Sequence, residues 1–271
     1  MAMIAGVAYG REAMDAQAGL LLFGAGLAGG VVTAIVGGAS LITFPALLAA
    51  GLPPITANAS NTVALTPGNL VAGFADRERL PSWDRSFLGL TAVCVAGSGV
   101  GAALLLVTPE KAFTAAVPVL IGFATLLFAG AGRIRQWILA RDTASAAPGR
   151  GLGGFRLLLF APVAIYGGYF GAGLSVLLLA LLSISRTDEF RAANVIKNLL
   201  SALTSFVAVV IFVFQGIVAW PPTLIMMAGA AVGGFLGARL VRIVPQPLLR
   251  GTVIAVGTIL TAVYAWRYWW P

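Results

Sequence analysis

Long uncharged apolar runs, separated by short charged stretches or by clusters of glycine and proline, set the pattern of this chain from about residue 18 to residue 266. A helix needs roughly 20 predominantly apolar residues to cross a hydrocarbon core about 30 Å thick, and runs of that length recur throughout. Strands of a transmembrane barrel would instead alternate polar and apolar positions. The pattern therefore predicts an all-α fold, a polytopic membrane helix bundle.

The runs fall into two similar series. Residues 18–50 form one apolar stretch interrupted by VGGAS (Val36 to Ser40) and closed by GLPP (Gly51 to Pro54). It is too long for one span and too short for two. Spans are predicted next at 57–75, 86–107 and 112–130, with a charged loop at 76–85 and a short turn from Thr108 to Lys111. Residues 131–154, with Arg133, Arg135, Arg141, Asp142 and Arg150 among small residues, read as a solvated linker. A second broken stretch follows at 155–185 around YFGAG (Tyr169 to Gly173), then spans at 193–214, 222–238 and 248–266. The expected organisation is a first membrane repeat at 1–130, a cytoplasmic linker at 131–154 and a second membrane repeat at 155–271. A local echo supports duplication: Ala57, Asn58, Asn61 and Thr62 line up with Ala193, Asn194, Lys197 and Asn198. The first 17 residues carry Arg11, Glu12 and Asp15 and no apolar core, so they do not read as a signal peptide, and the first span is expected to anchor itself.

Loop charge orients the series. If each broken stretch returns to the side it came from as a re-entrant pair of short helices, the segments 76–85, 131–156, 186–197 and 239–250 share one side and hold 14 of the 17 Lys and Arg residues. If each crossed once, the split would be 10 against 7. The positive-inside rule favours the first arrangement. Each half then crosses an odd net number of times, which makes the halves inverted repeats, each a broken or re-entrant helix pair followed by three transmembrane helices. Both termini are expected outside.

Composition agrees and removes several chemistries. The chain is 59% hydrophobic and 10% charged, with mean hydropathy +0.97. Its net charge of +8 lies in short clusters between apolar runs, which reads as membrane orientation and not as a nucleic-acid surface. The single Cys94 excludes an intrachain disulfide or a Cys-based zinc site, and the absence of histidine removes Ser-His dyads, His-ligated haem and the usual His-containing metal sites. No acid and base pair lies inside a span, so no enzyme site and no cofactor is expected. Asp188 and Glu189, beside Arg186 and Arg191, read as a solvated loop network.

A helix that begins in mid-membrane exposes unpaired N–H groups and the positive end of its dipole, which together suit an anion. Gly37 and Gly38 permit the first break and Ser40 can cap the arm that follows; Gly171 and Gly173 permit the second, with Ser175 as the corresponding hydroxyl. Asn58, Asn61 and Thr62 share one helix face by i, i+3, i+4 spacing, as do Asn194, Lys197 and Asn198. Thr66, Asn69 and Thr204 extend these faces. Buried amides in lipid are costly, so both faces should look toward protein or a wet cavity. Each feature has a plainer alternative: glycines let helices pack, asparagines tie helices together, and Lys197 snorkels to the surface. WRYWW (Trp266 to Trp270) reads as an interfacial anchor.

VGGASLITFPALLAAGLPPITANASNT, from Val36 to Thr62, places a glycine cluster, Pro45, a short Leu-Pro loop and a polar helix start in one order. In this it resembles the sulfite exporter TauE/SafE family, and the resemblance extends over nearly the whole chain in two halves. The second copy, YFGAGLSVLLLALL, lacks the proline, and its loop is charged. What the resemblance implies is a multi-pass protein of the bacterial inner membrane. It would be a secondary transporter exporting small sulfur-containing anions such as sulfite or a sulfonate (sulfoacetate), bound at the midplane between the two broken helices. The partners expected are a small anionic substrate and the lipid bilayer, with no nucleic acid, and a homo-oligomer is left open. An importer or permease of another small organic anion, or a non-transporting membrane assembly protein, remains the alternative on the residues alone.

Overall fold

The computed structural model describes residues 16–35, 38–75, 85–142, 158–185, 190–240 and 245–270. Among them are ten helices: α1 (Ala16–Ile35), α2 (Ser40–Ala49), α3 (Pro54–Ala75), α4 (Arg85–Val107), α5 (Glu110–Asp142), α6 (Phe160–Tyr169), α7 (Leu174–Ser185), α8 (Phe190–Phe214), α9 (Trp220–Leu240) and α10 (Gln246–Trp269). Six stretches are long and apolar enough to cross a membrane: Ala16–Ile35, Arg85–Val107, Glu110–Ile134, Val195–Phe214, Trp220–Gly237 and Pro247–Trp269. The protein is a polytopic helical membrane protein. Residues 1–15 of the N-terminal segment, residues 143–154 of the predicted linker, the charged loop 76–84 and the Arg186 to Glu189 network lie outside the described residues, while the first half of that linker, 131–142, continues α5 as helix.

Two elements depart from expectation. The first arm of the first broken stretch is no half-helix: α1 has 20 residues, about 30 Å of rise. Residues 57–75 form a helix as predicted, within the 22 residues of α3, yet α3 is not among the stretches apolar enough to stand in lipid alone. Asn58, Asn61, Thr62, Thr66 and Asn69 lower its apolarity, and the side chains of Asn61, Thr62, Thr66 and Asn69 find internal partners described below.

The chain divides into two compact units, each drawing on both sequence halves: Met1–Gly68, Leu105–Leu126 and Val209–Pro271 in one, Asn69–Leu104 and Leu127–Ala208 in the other. In lipid, apolar side chains gain little by leaving the solvent for one another, so helices associate through close backbone approach and internal hydrogen bonds.

The first unit is built on α1 against α9. A Cβ on Gly26 would strike the Met226 carbonyl oxygen, one on Gly30 the Ala230 carbonyl oxygen, one on Gly229 that of Phe23, and one on Gly233 that of Leu27. Contacting residue numbers rise together on the two helices, so α1 and α9 are parallel. α10 and α5 run antiparallel, with Gly122 facing Thr261, Gly257 facing Thr125, and the Trp269 indole N–H donating to the Ala115 carbonyl at 3.0 Å. The Ile55 N–H, at the start of α3, donates to Glu110 Oε1 at 3.1 Å. The starts of α3 and α5 and the end of α10 therefore share one side of the membrane. Because α10 returns from α9 through a short connection, and α1 parallels α9, α1 also starts on that side. The α1–α2 stretch thus goes in and comes back, as a full-length helix and a 10-residue one.

The second unit repeats this device. Gly97 and Gly101 of α4 meet α6 so closely that a Cβ on Gly97 would lie 2.7 Å from the Ala164 Cβ, and one on Gly101 would strike the Ile165 carbonyl oxygen. Gly168 meets the Ser98 carbonyl in the same way, so α4 and α6 are also parallel. Around them Phe87, Leu90, Cys94, Phe160, Leu178, Leu182, Ile196 and Leu200 form a buried apolar cluster.

Candidate functional site

The first break sits in the first unit. Gly38 takes φ +89°, a left-handed conformation open to glycine at little cost, and α2 starts two residues later. Gly37 lies outside the described residues. The sequence places Ser40 as the cap of this arm; the structure puts Ala39 in the cap position, with no side-chain cap bond. Ser40 is already the first helical residue, so its hydroxyl is carried off the helix end and toward α3, where Ser40 Oγ accepts from Asn61 Nδ2 at 3.3 Å.

Asn61 is the centre of this half-site. It is 2% exposed, and its side-chain Oδ1 accepts from the hydroxyl of the fully buried Thr43 at 2.5 Å, that hydroxyl being also 3.1 Å from the Ala39 carbonyl. Thr43 has one proton, and the shorter contact takes it. One amide thereby ties α3 to both ends of the first turn of α2. Asn58 is buried one turn earlier, and the Thr62 hydroxyl, half-buried, donates to the Asn58 carbonyl at 2.9 Å. Thr66 repeats the motif on the Thr62 carbonyl at 2.7 Å. Thr43 and Ser60 are contributors the sequence reading missed. Ser60 Oγ accepts from the Ala219 N–H at 3.0 Å, satisfying a donor at the entrance to α9. Its place inside ANASNT was the available signal.

The second break sits in the second unit. Gly171 and Gly173 take φ +75° and +80°, and the Tyr166 hydroxyl reaches across the turn to donate to the Ala172 carbonyl at 2.6 Å. Tyr166 was also missed, since one tyrosine in an apolar run has no distinguishing spacing. Ser175, in the first turn of α7, lies 3.2 Å from Ser201 of α8, hydroxyl to hydroxyl. This is the counterpart of Ser40 bonding to α3. Lys197 stands one turn before Ser201, half-buried, with Asn198 beside it also half-buried. Asn194 lies on the same helix, and its side chain is outside what the structure describes. Farther along α8, Thr204 is buried, its carbonyl accepting from the Ser98 hydroxyl at 2.7 Å, while Asn69 Nδ2 donates to Ser205 Oγ at 3.3 Å. Thr204 Oγ1 has no hydrogen-bond partner among the described residues.

Each unit thus brings together a left-handed glycine break, the hydroxyl at the start of the following arm, and a polar face on the next long helix. Replacing Tyr166 by phenylalanine removes the hydroxyl's bond to the Ala172 carbonyl across the second break. We expect a loss of about 1 kcal/mol, read as a small drop in melting temperature with no loss of folded protein.

The family model described as "Sulfite exporter TauE/SafE" matches residues 22–264. The chain is 29% identical over 246 residues to the "Probable membrane transporter protein YfcA" of Escherichia coli strain K12, covering 90% of this chain and 88% of that protein. It is 28% identical over 253 residues to a "Probable membrane transporter protein" of Haemophilus influenzae, covering 92% and 95%. A third relative, "Probable membrane transporter protein ORF9" of a Sinorhizobium species, is 27% identical over 224 residues. No solved structure matches the chain significantly. With the match running from α1 to α10, the chain belongs to the sulfite exporter TauE/SafE family and is a membrane transporter.

Proposed function

We propose that this transporter exports small sulfur-containing oxyanions, such as sulfite or a sulfonate like sulfoacetate, across the bacterial inner membrane, without catalysis and without a cofactor. The observation that carries the proposal is the recurrence, once in each unit, of a glycine break followed by a hydroxyl-bearing helix start. Helix starts inside a membrane are suited to oxyanions because their N–H groups and dipole supply positive potential without a buried cation. Lys197 adds one full charge on the α8 face. In the first half-site, the proposed ligands are Gly37, Gly38, Ser40, Asn58, Asn61 and Thr62. In the second they are Gly171, Gly173, Ser175, Asn194, Lys197 and Asn198.

Chain direction supports an inverted relation between residues 1–130 and 155–271. The α1–α2 stretch starts and ends on the side where α5 begins. α4 ends on that side, so α6, parallel to α4, starts from the other, and α8 must start there too to hand over to α9. The leading helix of each half also packs parallel to the second of the three long helices that follow the broken pair in the other half, α1 on α9 and α6 on α4. The described ends of α3, α5 and α9, which lead into arginine-rich stretches of the sequence, lie on the side from which α6 starts, and we take that as the cytoplasmic side by the positive-inside rule.

An anion leaving a cell that is negative inside gains roughly 2.3 kcal/mol per charge per 100 mV. Export of sulfite therefore needs no coupling ion. In proteoliposomes, flux of sulfite should follow an imposed potential with no proton gradient, and Lys197→Ala should slow it by an order of magnitude or more while the protein stays folded. Flux that requires a proton gradient would exclude the uncoupled mechanism; transport of acetate in preference to every sulfur anion would exclude the substrate class.

A further inference from the structure

We propose that the first unit holds one acyl chain of an anionic phospholipid behind α2, with the lipid phosphate taken by Arg267. The site is a groove of about 460 Å³ formed by α1, α2 and α10, lined by Leu20, Gly24, Ile42, Pro45, Leu260 and Tyr264. Its lining is aliphatic apart from the Tyr264 hydroxyl, and that hydroxyl is occupied: it donates to the Pro45 carbonyl at 3.2 Å. With that proton committed, the lining offers a polar solute no free side-chain donor and only the Tyr264 oxygen as an acceptor, so hydrocarbon is the chemistry that fits.

The rim specifies what kind of hydrocarbon. One turn beyond Tyr264, on the same face of α10, stand Tyr268 and Arg267. Tyr268 stacks on Tyr264 with ring centroids 5.5 Å apart, and Arg267 is exposed in the last turn. Trp266 and Trp270, also exposed and 6.4 Å apart, complete an aromatic belt at the depth of lipid headgroups. An apolar slot that opens under a belt carrying a cation matches an anionic phospholipid by both shape and charge. A second copy of the chain would instead need an apolar partner surface at the rim, where this protein places a charge.

The groove also has a consequence for transport. Its floor is the outward face of α2, the arm whose first residue, Ser40, is bound by Asn61. An acyl chain there supports α2 from behind, while Tyr264 holds it at Pro45. This rests on the membrane reading of the chain and not on which anion is carried, so it survives if sulfite is not the substrate.

Gly24 supplies the test, because a Cβ built there meets nothing within 4 Å. Gly24→Leu therefore puts hydrocarbon into the groove from a position where the first side-chain atom meets no protein. Native mass spectrometry of the full-length protein, extracted from bilayers of phosphatidylglycerol and phosphatidylcholine, should show one retained phosphatidylglycerol on wild type. Occupancy should be reduced about fivefold or more in Gly24→Leu, and Arg267→Gln should keep a bound lipid but lose the preference for the anionic headgroup, again by about fivefold. Both variants should remain monodisperse. Equal lipid occupancy in wild type and Gly24→Leu overturns the proposal. So does a headgroup preference unchanged in Arg267→Gln, or a protein dimer that forms in place of the lipid adduct and is abolished by Gly24→Leu.

Discussion

Gly30→Val will yield no folded transporter, whereas Gly19→Ala will be indistinguishable from wild type. A Cβ at Gly30 would collide with the Ala230 carbonyl oxygen and lie 2.6 Å from the Gly234 nitrogen. These are backbone atoms of a continuous helix and have no rotamer to escape into. Overpacking a core that can yield costs about 1–3 kcal/mol. Here the only relief is to drive α1 and α9 apart, which releases the contacts at Gly26, Gly229 and Gly233 together. A total stability of roughly 5–15 kcal/mol leaves little room for that. Gly19 faces open space, so a surface change within about 0.5 kcal/mol is expected there. Size-exclusion profiles of fluorescently tagged protein after detergent extraction read the difference directly. A monodisperse Gly30→Val protein melting with wild type would mean that α1 and α9 do not pack backbone to backbone.

Asn61→Ala is expected to destabilise the protein by about 1–3 kcal/mol, the cost of leaving buried polar partners unmatched. Thr43 can fall back on the Ala39 carbonyl at 3.1 Å, but Ser40 loses its donor. For a protein of this size that is a drop in melting temperature of roughly 3–10 °C. Transport should fall as well, because the first turn of α2 is no longer fixed to α3. Ser40→Ala removes one of the same bonds, so the double variant should be less damaging than the sum of the singles. Strict additivity would show that Asn61 and Ser40 do not act through one another. Loss of transport in Asn61→Ala without any change in melting temperature would leave Asn61 its proposed role as an anion ligand and remove its role in tying α3 to α2.

Glycine and proline made the breaks legible. VGGAS and YFGAG announced interruptions in runs otherwise long enough to cross, and three of the five left-handed glycines among the described residues fall inside those windows, at Gly38, Gly171 and Gly173; the other two, Gly51 and Gly216, stand in the turns that end α2 and α8. Five of the six predicted ordinary spans became long apolar helices for the same reason, since length and apolarity are local properties. What stayed hidden was any pairing at a distance. Gly26 and Gly30 look in sequence like flexible punctuation, and only the arrival of Gly229, Gly233 and Gly237 some 200 residues later shows them as one side of a contact. That partnership explains why α1 is full length: it has a full-length neighbour to lie against. The polar face of Asn58, Asn61 and Thr62 was visible from its spacing. Its immediate partners were not, because Thr43 and Ser40 belong to a helix the sequence describes only as apolar. Tyr166 was out of reach on any pattern.

The pairing of α1 with α9 also sets a problem of timing. α1 is among the first helices to leave the ribosome, and α9 follows only after roughly 190 further residues, about 10–40 s at ordinary rates of synthesis. Until then the glycine face of α1 has no permanent neighbour, although a surface that admits backbone so closely is an invitation to any small-faced helix nearby. The insertion machinery, or α2 lying across Gly29 through Thr43, must shelter it in the interval. A chain cut short before α9 would leave that face bare, and quality-control proteases of the membrane would be expected to clear it.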